Sequence, residues 1–355
     1  MDDPLHWKKL FTLGPAQRDH RAALRASCGV FLPLLVLLSL DRIDLALFAV
    51  FAAFTNIYGR GPSFALRWRA QLRGGGLMWL VMVAAVATQA FLEAGTEAGR
   101  WAVIGVTTLI SGTCALAVGW LRIRPAGSLF HIFAFAAIAT LPASINPVEA
   151  LTTATATFLL GLGIGQFGRW WQRPAHRERA VAQPKPFAQA MAPGEWRALW
   201  GQALGHLVAA GLAGAIAQIL QPALGLEHTY WAMVAAVVPL VGHTTRDAVA
   251  RGIHRVLGTA VGLVVMALVI WAEPPLWALV LIIGLFQFGT EMLVIRNYFW
   301  AQVCITPLAL IGVSLSRDPT AGLLYDRIVE TVIGAVIGIV VVLISSRRVR
   351  SALGW

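Results

Sequence analysis

A chain of 355 residues with 58% hydrophobic and only 13% charged positions, at mean hydropathy +0.71, lacks the surface of a soluble domain, where roughly a quarter of residues carry charge. Its formal charge of +11 is spread over short segments between apolar runs instead of one patch, which argues against nucleic acid as the partner. Cys28, Cys114 and Cys304 are odd in number and lie inside apolar runs, so they are read as small buried residues, not as a disulfide framework or a metal site.

At the start, Leu5, Trp7, Leu10 and Phe11 interleave with Lys8 and Lys9, a pattern that fits a short helix on the inner membrane interface or a disordered tail. The segment has no apolar core and no small-residue cleavage site, so the first span is expected to serve as an uncleaved signal. Twelve apolar runs follow, at about 26–40, 45–58, 75–92, 101–119, 127–141, 150–168, 200–219, 229–242, 256–272, 275–290, 298–315 and 328–345. Open sheets cannot cross lipid and barrel-type alternation is absent, which predicts an all-α membrane protein of about twelve transmembrane helices.

Charge orients the spans. With a cytoplasmic N-terminus, the inner segments hold Lys8, Lys9, Arg18, Arg21 and Arg25, then Arg60, Arg67, Arg69 and Arg73, then Arg122 and Arg124. Further along they hold Arg169, Arg173, Arg177, Arg179, Lys185 and Arg197, then Arg246, Arg251, Arg255 and Arg296, and last Arg347, Arg348 and Arg350. The outer side keeps Arg42, Arg100, Arg317 and Arg327, with acids such as Asp44, Glu97, Glu149 and Glu227. This asymmetry predicts that both termini are cytoplasmic.

The chain also repeats itself. Asp44 to Gly59 matches Glu227 to Gly242: Phe48 meets Trp231, Ala49 meets Ala232, and a glycine closes each stretch. One residue further out of register, Arg69, Arg73 and Gly76 fall against Arg251, Arg255 and Gly258. Six spans per copy is an even number, so two parallel six-helix repeats are expected, residues 1–170 and 199–355, joined by a cytoplasmic linker at 171–198. Glycine pairs at four-residue spacing, Gly161 with Gly165, Gly258 with Gly262 and Gly334 with Gly338, predict close helix packing.

Candidate functional residues cluster around the shortest spans. The second and eighth, about fourteen residues each, reach only ~21 Å at 1.5 Å per residue, against a hydrocarbon core of ~30 Å. They run out through Asn56, Tyr58 and Gly59 in one copy and Pro239, Gly242 and His243 in the other. Broken helices at matching places in two repeats point to a solute pathway. Arg69, Arg73, Arg251 and Arg255 would give its cytoplasmic mouth positive potential, and Tyr230 and Trp231 would add aromatic faces. The same arginines also satisfy the topology rule, and both readings stay open. Glu330, sharing a helix face with Asp326, is either a proton relay or an anchor for the last helix. His131 and His206 read as interfacial hydrogen-bonders. There is no nucleotide loop, hydrolase elbow or metal-ligand spacing, so neither an enzyme nor a cofactor is expected.

The run Tyr230-Trp231-Ala232 leading to Arg251, Arg255, Gly258, Thr259 and Gly262 resembles the fusaric acid resistance and aromatic acid exporter family. So do Arg296-Asn297-Tyr298 with Ala301, Gln302, Thr306 and Pro307, and Asp326-Arg327 with Glu330, Thr331 and Gly334; Leu24-Arg25, Arg69, Arg73 and Gly76 form a weaker first copy. The resemblance implies a bacterial inner-membrane protein of six-plus-six helices that exports small organic, aromatic carboxylates using the proton gradient. Asn56 and Tyr298 join the arginines and aromatics as substrate contacts, with Asp326 and Glu330 as the proton-coupling pair. Similarity to plant malate channels keeps a passive anion channel open, as does a non-transporting envelope scaffold; a homo-oligomer is also left open. Many relatives carry a sizeable soluble domain where this chain has only the linker.

Overall fold

The computed structural model describes residues 5–16, 19–60, 64–92, 95–141, 145–167, 191–316 and 322–352, and among these the chain is all helical. Most of the expected linker, along with Glu93, Arg317 and Asp318, lies outside the described residues.

A helix falls on each of the twelve apolar runs, but only eight of them are long and apolar enough to cross a membrane. The long helices are α2 (His20–Ser39), α4 (Phe64–Phe91), α5 (Glu97–Trp120), α7 (Pro147–Gln166), α8 (Pro193–Leu224), α10 (Thr245–Trp271), α11 (Leu276–Leu293) and α13 (Leu323–Ala352). The short ones are α3 (Ala46–Ala53), α6 (Leu129–Ala139), α9 (Tyr230–Ala236) and α12 (Tyr298–Ser314); a five-residue α1 (Trp7–Phe11) precedes them all. Of the twelve expected spans, eight fall on helices of crossing length and four on shorter apolar helices. The order long, short, long, long, short, long is the same in α2–α7 as in α8–α13.

Sequence explains which helices are inside. Every residue of α3 and of α9 is buried, as are most of α6 and α12. These segments are apolar all round, and such a helix has no face to offer water or headgroups. The eight long helices expose large apolar side chains instead, among them Leu80, Phe91, Leu109, Val264, Trp271 and Leu285, which suits contact with lipid. Long helices thus wrap four short ones.

The packing is reciprocal. α5 runs along α8, and α11 runs along α2; α4 packs on α6 and α7 as α10 packs on α12 and α13; α6 meets α9 as α12 meets α3. Each set of six is consequently completed by the other.

The arginines expected in loops sit instead in helices. Arg67, Arg69 and Arg73 lie in the first turns of α4, and Arg251 and Arg255 inside α10. Arginine is a good helix former whose long stem lets a helix continue beyond the apolar zone. Likewise α8 begins at Pro193, inside the stretch read as linker. At the N-terminus α1 is docked: the Phe11 ring meets Phe299 edge-on at 4.9 Å, and Asn297 Nδ2 donates to the carbonyls of Leu10 and Thr12 at 3.0 Å each.

Two of the glycine pairs bring backbones together. A Cβ on Gly334 or Gly338 of α13 would run into the carbonyl oxygen of Ala232 or Ala236 on α9, and one on Gly258 would lie 2.8 Å from the Phe299 carbonyl of α12. Gly76 has nothing within 4 Å of that position. Gly334→Ala should therefore lower stability by about 1–3 kcal/mol through backbone displacement. Gly76→Ala should be neutral or stabilising by up to ~1 kcal/mol. Thermal unfolding of the purified variants in detergent measures both.

Candidate functional site

The short helices end inside the protein. α3 gives way to a tight turn over Phe54–Ile57, closed by Gly59 at φ +71°, a backbone region that favours glycine. α9 stops before Pro239, which cannot donate to an i−4 carbonyl, and a turn Pro239–Val241 follows. Around these ends lies a cavity of 2720 Å³, lined by residues of both helix sets. Ligand pockets run to about 300–1,000 Å³, so this volume suits a passage better than a closed pocket.

Nine arginines border it: Arg21, Arg25, Arg60, Arg67, Arg122, Arg124, Arg251, Arg255 and Arg327. The carboxylates among the lining residues are Asp19 and Glu291. Contacts set the arrangement of these charges. Arg251 lies over the Tyr298 ring at 5.5 Å, and Arg60 Nη1 donates to Glu291 Oε2 at 2.6 Å. The starts of α4 and α10 therefore share one end of the bundle with the end of α11.

Deeper in, the second set builds a polar cluster on close-packed helices. Arg255 Nη1 donates to Gln302 Oε1 at 2.8 Å, the Tyr298 hydroxyl donates to the same oxygen at 3.2 Å, and Gln302 Nε2 donates to the hydroxyls of Thr259 and Thr306 at 3.1 Å each. The approach of α10 to α12 at Gly258 and Gly262 lets these side chains meet. Arg327, fully buried, stands over the face of Trp231 with its guanidinium carbon 3.8 Å from the ring centre, while its Nε and Nη1 have no hydrogen-bond partner. A desolvated cation on tryptophan gains about 2 kcal/mol or more, but its N–H groups stay ready for an anion.

The first set supplies aromatic wall. From Trp231 at 4.8 Å the rings run through Phe133 to Phe51 at 4.9 Å, then Phe54 at 5.7 Å and Phe130 at 5.3 Å. Cationic donors at one end of an apolar ring track can hold an anionic group attached to an apolar body.

The acids of α13 are not among the residues that border the cavity. Glu330 Oε2 accepts the Trp231 amide at 3.1 Å; Asp326 Oδ2 accepts the Glu227 amide at 3.0 Å and lies 2.8 Å from His228 Nδ1. They satisfy N–H groups at the start of α9 that no intrahelical carbonyl can reach. Glu227, His228 and Asp326 bring ligand-type atoms within 4.8 Å of one another, and these hydrogen bonds account for that grouping.

The remaining candidates are placed as follows. Arg251, Arg255, Trp231 and Tyr298 border the cavity, as does His206, whose Nδ1 lies 2.8 Å from Ser128 Oγ. Tyr230 is buried, its ring 4.9 Å from Trp231, behind the lining. Asn56 is buried behind the wall, where its carbonyl accepts from Arg25 Nε at 3.1 Å. His131 is buried, with neither ring nitrogen hydrogen-bonded. Arg69 is exposed and Arg73 reaches the Leu121 carbonyl at 3.3 Å; neither borders the cavity, where Arg67 of the same helix stands instead. Three neighbours along a helix point about 100° apart, and repeat alignment off by a residue or two picks the wrong face.

Sequence reasoning passed over Glu291 and Asp19. The expected span ended at 290, one residue short of the acid, whereas α11 continues to Leu293. Carrying the helical pattern one further turn places Glu291 on the face of Gln287, and that is the signal that was present.

Comparison with known proteins agrees with the second set. A profile of the fusaric acid resistance protein-like family matches residues 209–341. Residues 209–341 are thus similar to that family. The match covers α9–α12 with the second half of α8 and the start of α13 through Val341, and so takes in Trp231, Arg255, Gln302, Arg327 and Glu330. A relative described as the uncharacterized membrane protein YvaC of Bacillus subtilis (strain 168) is 29% identical over 129 residues, which is 36% of this chain and 20% of the relative. The matched part thus spans about a fifth of that relative's length. No solved structure matches the chain. Apolar helices of crossing length and the family match together make this a multi-pass integral membrane protein.

The contacts of Glu330 make a stability prediction. Glu330→Gln keeps an acceptor for the Trp231 amide and should cost about 1 kcal/mol; Glu330→Leu leaves that amide unsatisfied and should cost about 2–3 kcal/mol. Thermal unfolding in detergent distinguishes this anchoring role from a dispensable acid, for which both substitutions would be neutral.

Proposed function

We propose that the protein moves small organic anions, aromatic carboxylates first among them, out of the cytoplasm through the cavity between its two helix sets. One observation carries the reading. Arg327 presents unpartnered, fully buried guanidinium nitrogens at the border of a passage whose wall is a row of aromatic rings. A buried cation is expensive unless it is paired and hydrogen-bonded; Glu330 lies close enough to interact with Arg327, and an anionic ligand would supply the hydrogen bonds that Nε and Nη1 lack. Its carboxylate would lie on Arg327 and Arg255, with its ring against Trp231, Phe133 and Phe51.

On this proposal the arginine-rich end faces the cytoplasm, in line with the excess of basic residues there, and the two sets are parallel repeats, in line with their shared helix order and reciprocal packing. The membrane is then the bacterial inner membrane.

Two energy sources are compatible with the scaffold. The engagement of Asp326 and Glu330 in holding α9, away from the cavity lining, favours passive anion flow driven by the membrane potential over proton coupling through those two acids.

Purified protein in vesicles, assayed with benzoate-like, hydroxycinnamate-like and dicarboxylate anions, tests the reading. Arg327→Gln and Arg255→Gln should each reduce aromatic-anion flux at least about tenfold, the range lost when one partner of a charged hydrogen bond is removed. Flux that persists without a proton gradient identifies a channel, and flux that stops identifies a coupled exporter. Unchanged flux in both arginine variants, or none of these anions moved by the parent protein, would remove the proposal.

A further inference from the structure

The carboxylates bordering the cavity, Glu291 and Asp19, are bound to the same side chain. Arg60 Nη1 donates to Glu291 Oε2 at 2.6 Å, and Nη2 donates to the Glu291 main-chain carbonyl at 2.5 Å and to Asp19 Oδ1 at 3.0 Å. Arg60 belongs to the segment between the turn after α3 and the start of α4. It therefore ties the first helix set to the last turns of α11 and to the residue preceding α2. The group is well enclosed, with side-chain exposure of 19% for Arg60, 6% for Asp19 and 5% for Glu291.

The neighbours of Glu291 are few. On its own helix Gln287 Nε2 lies 3.5 Å from Oε1. From α2 comes Arg25, which interacts with both Glu291 and Arg60 and whose Nη2 has no hydrogen-bond partner; Arg67 of α4 stands beyond it. α12, also packed on α11, carries no charged side chain, and Tyr298 borders the cavity at its start. A carboxylate arriving from this end meets arginines whose closest member already holds two carboxylates of the protein. Two anions a few ångströms apart on one guanidinium repel strongly in a poorly solvated site. Arg60 can then take the newcomer only when Glu291 leaves or becomes neutral.

We propose that Glu291 is a proton-binding site that guards the passage: as a carboxylate it occupies Arg60 in place of the transported anion, and an anion binds there together with a proton taken up by Glu291. The inference rests on the anion reading above and assigns it a regulation. Linkage then requires that anion and proton strengthen each other's binding by the same factor. Anion affinity rises as pH falls, and each anion bound brings up to about one proton from solvent onto the Glu291 carboxylate. With this end facing the cytoplasm, the passage would open to anions when the cell interior acidifies, as it does when weak acids enter and dissociate.

The experiment is calorimetric titration of the purified full chain with benzoate, with chloride as a small-anion control, over a series of pH values and in buffers of different ionisation enthalpy. The parent should bind benzoate more tightly as pH falls and take up protons on binding. Glu291→Gln should bind about tenfold more tightly at neutral pH, with no pH slope and no proton uptake. Glu291→Asp, which keeps the charge with a shorter reach, should tighten binding less and retain the slope; it serves also if the glutamine variant does not fold. Binding by Glu291→Gln alone would support the inference in its strongest form, a closed parent. A pH slope and proton uptake that survive in Glu291→Gln would overturn it and leave the anion passage standing. No benzoate binding by the parent or any variant would overturn passage and guard together.

Discussion

The constraint on which the rest depends is that main-chain N–H and C=O groups at membrane depth must find partners inside the protein. α3, α6, α9 and α12 are shorter than the eight helices of crossing length, and their ends are met by other residues. The acids of α13 do this for the start of α9, and the Asn297 side chain does it for α12 by accepting the Phe299 amide. On the first set, Arg25 and Arg67 donate to the carbonyls of Asn56 and Gly59. Broken helices of this kind survive only within a ring of longer ones, and the residues that satisfy them are necessarily polar. The polar lining of the cavity is thus a by-product of the short helices as much as a device for a solute.

The two helix sets share an order but not a chemistry. The buried polar cluster of Arg255, Tyr298, Gln302, Thr259 and Thr306 has its setting in the close approach of α10 to α12, where Gly258 and Gly262 remove two side chains. On the first set the open surroundings of Gly76 are matched by phenylalanines facing the cavity instead of glutamine and tyrosine. The difference between the two sets gives the cavity a polar side and an apolar side. Reciprocal packing keeps the two sides in register, because α5 on α8 and α11 on α2 tie each set to the other along whole helices.

Placement of charge separates two kinds of acid. Asp326 and Glu330 hydrogen-bond amides at the start of a helix, where the dipole already favours a negative group, and this explains why two acids are tolerated in an apolar run. Glu291 holds a side chain, Arg60, that belongs to the other helix set, and Asp19, of the same set as Arg60, binds it from a second side. The first pair stabilises a backbone, whereas the Glu291–Arg60 pair joins the two helix sets at the border of the cavity.

Much of this was legible in the residues. Uniform apolarity, the sign of the flanking charges and the near-repeat of Asp44–Gly59 in Glu227–Gly242 were enough for an all-helical membrane protein with broken second helices, since hydrophobicity and main-chain satisfaction act locally along the chain. The glycine pairs likewise announced close packing, and the order of motifs from Trp231 to Gly334 announced the family similarity found over residues 209–341. Which arginine of a helix faces a cavity was not legible at all: Arg67 and Arg69 differ by two positions and so by a little over a half-turn, and only the neighbours that close around α4 decide between them. The same holds for Arg60, Asp19 and Glu291, which are 41 and 231 residues apart in sequence. Their pairing is made by the docking of α11 against α2, a contact between the two halves of the chain that no local pattern encodes.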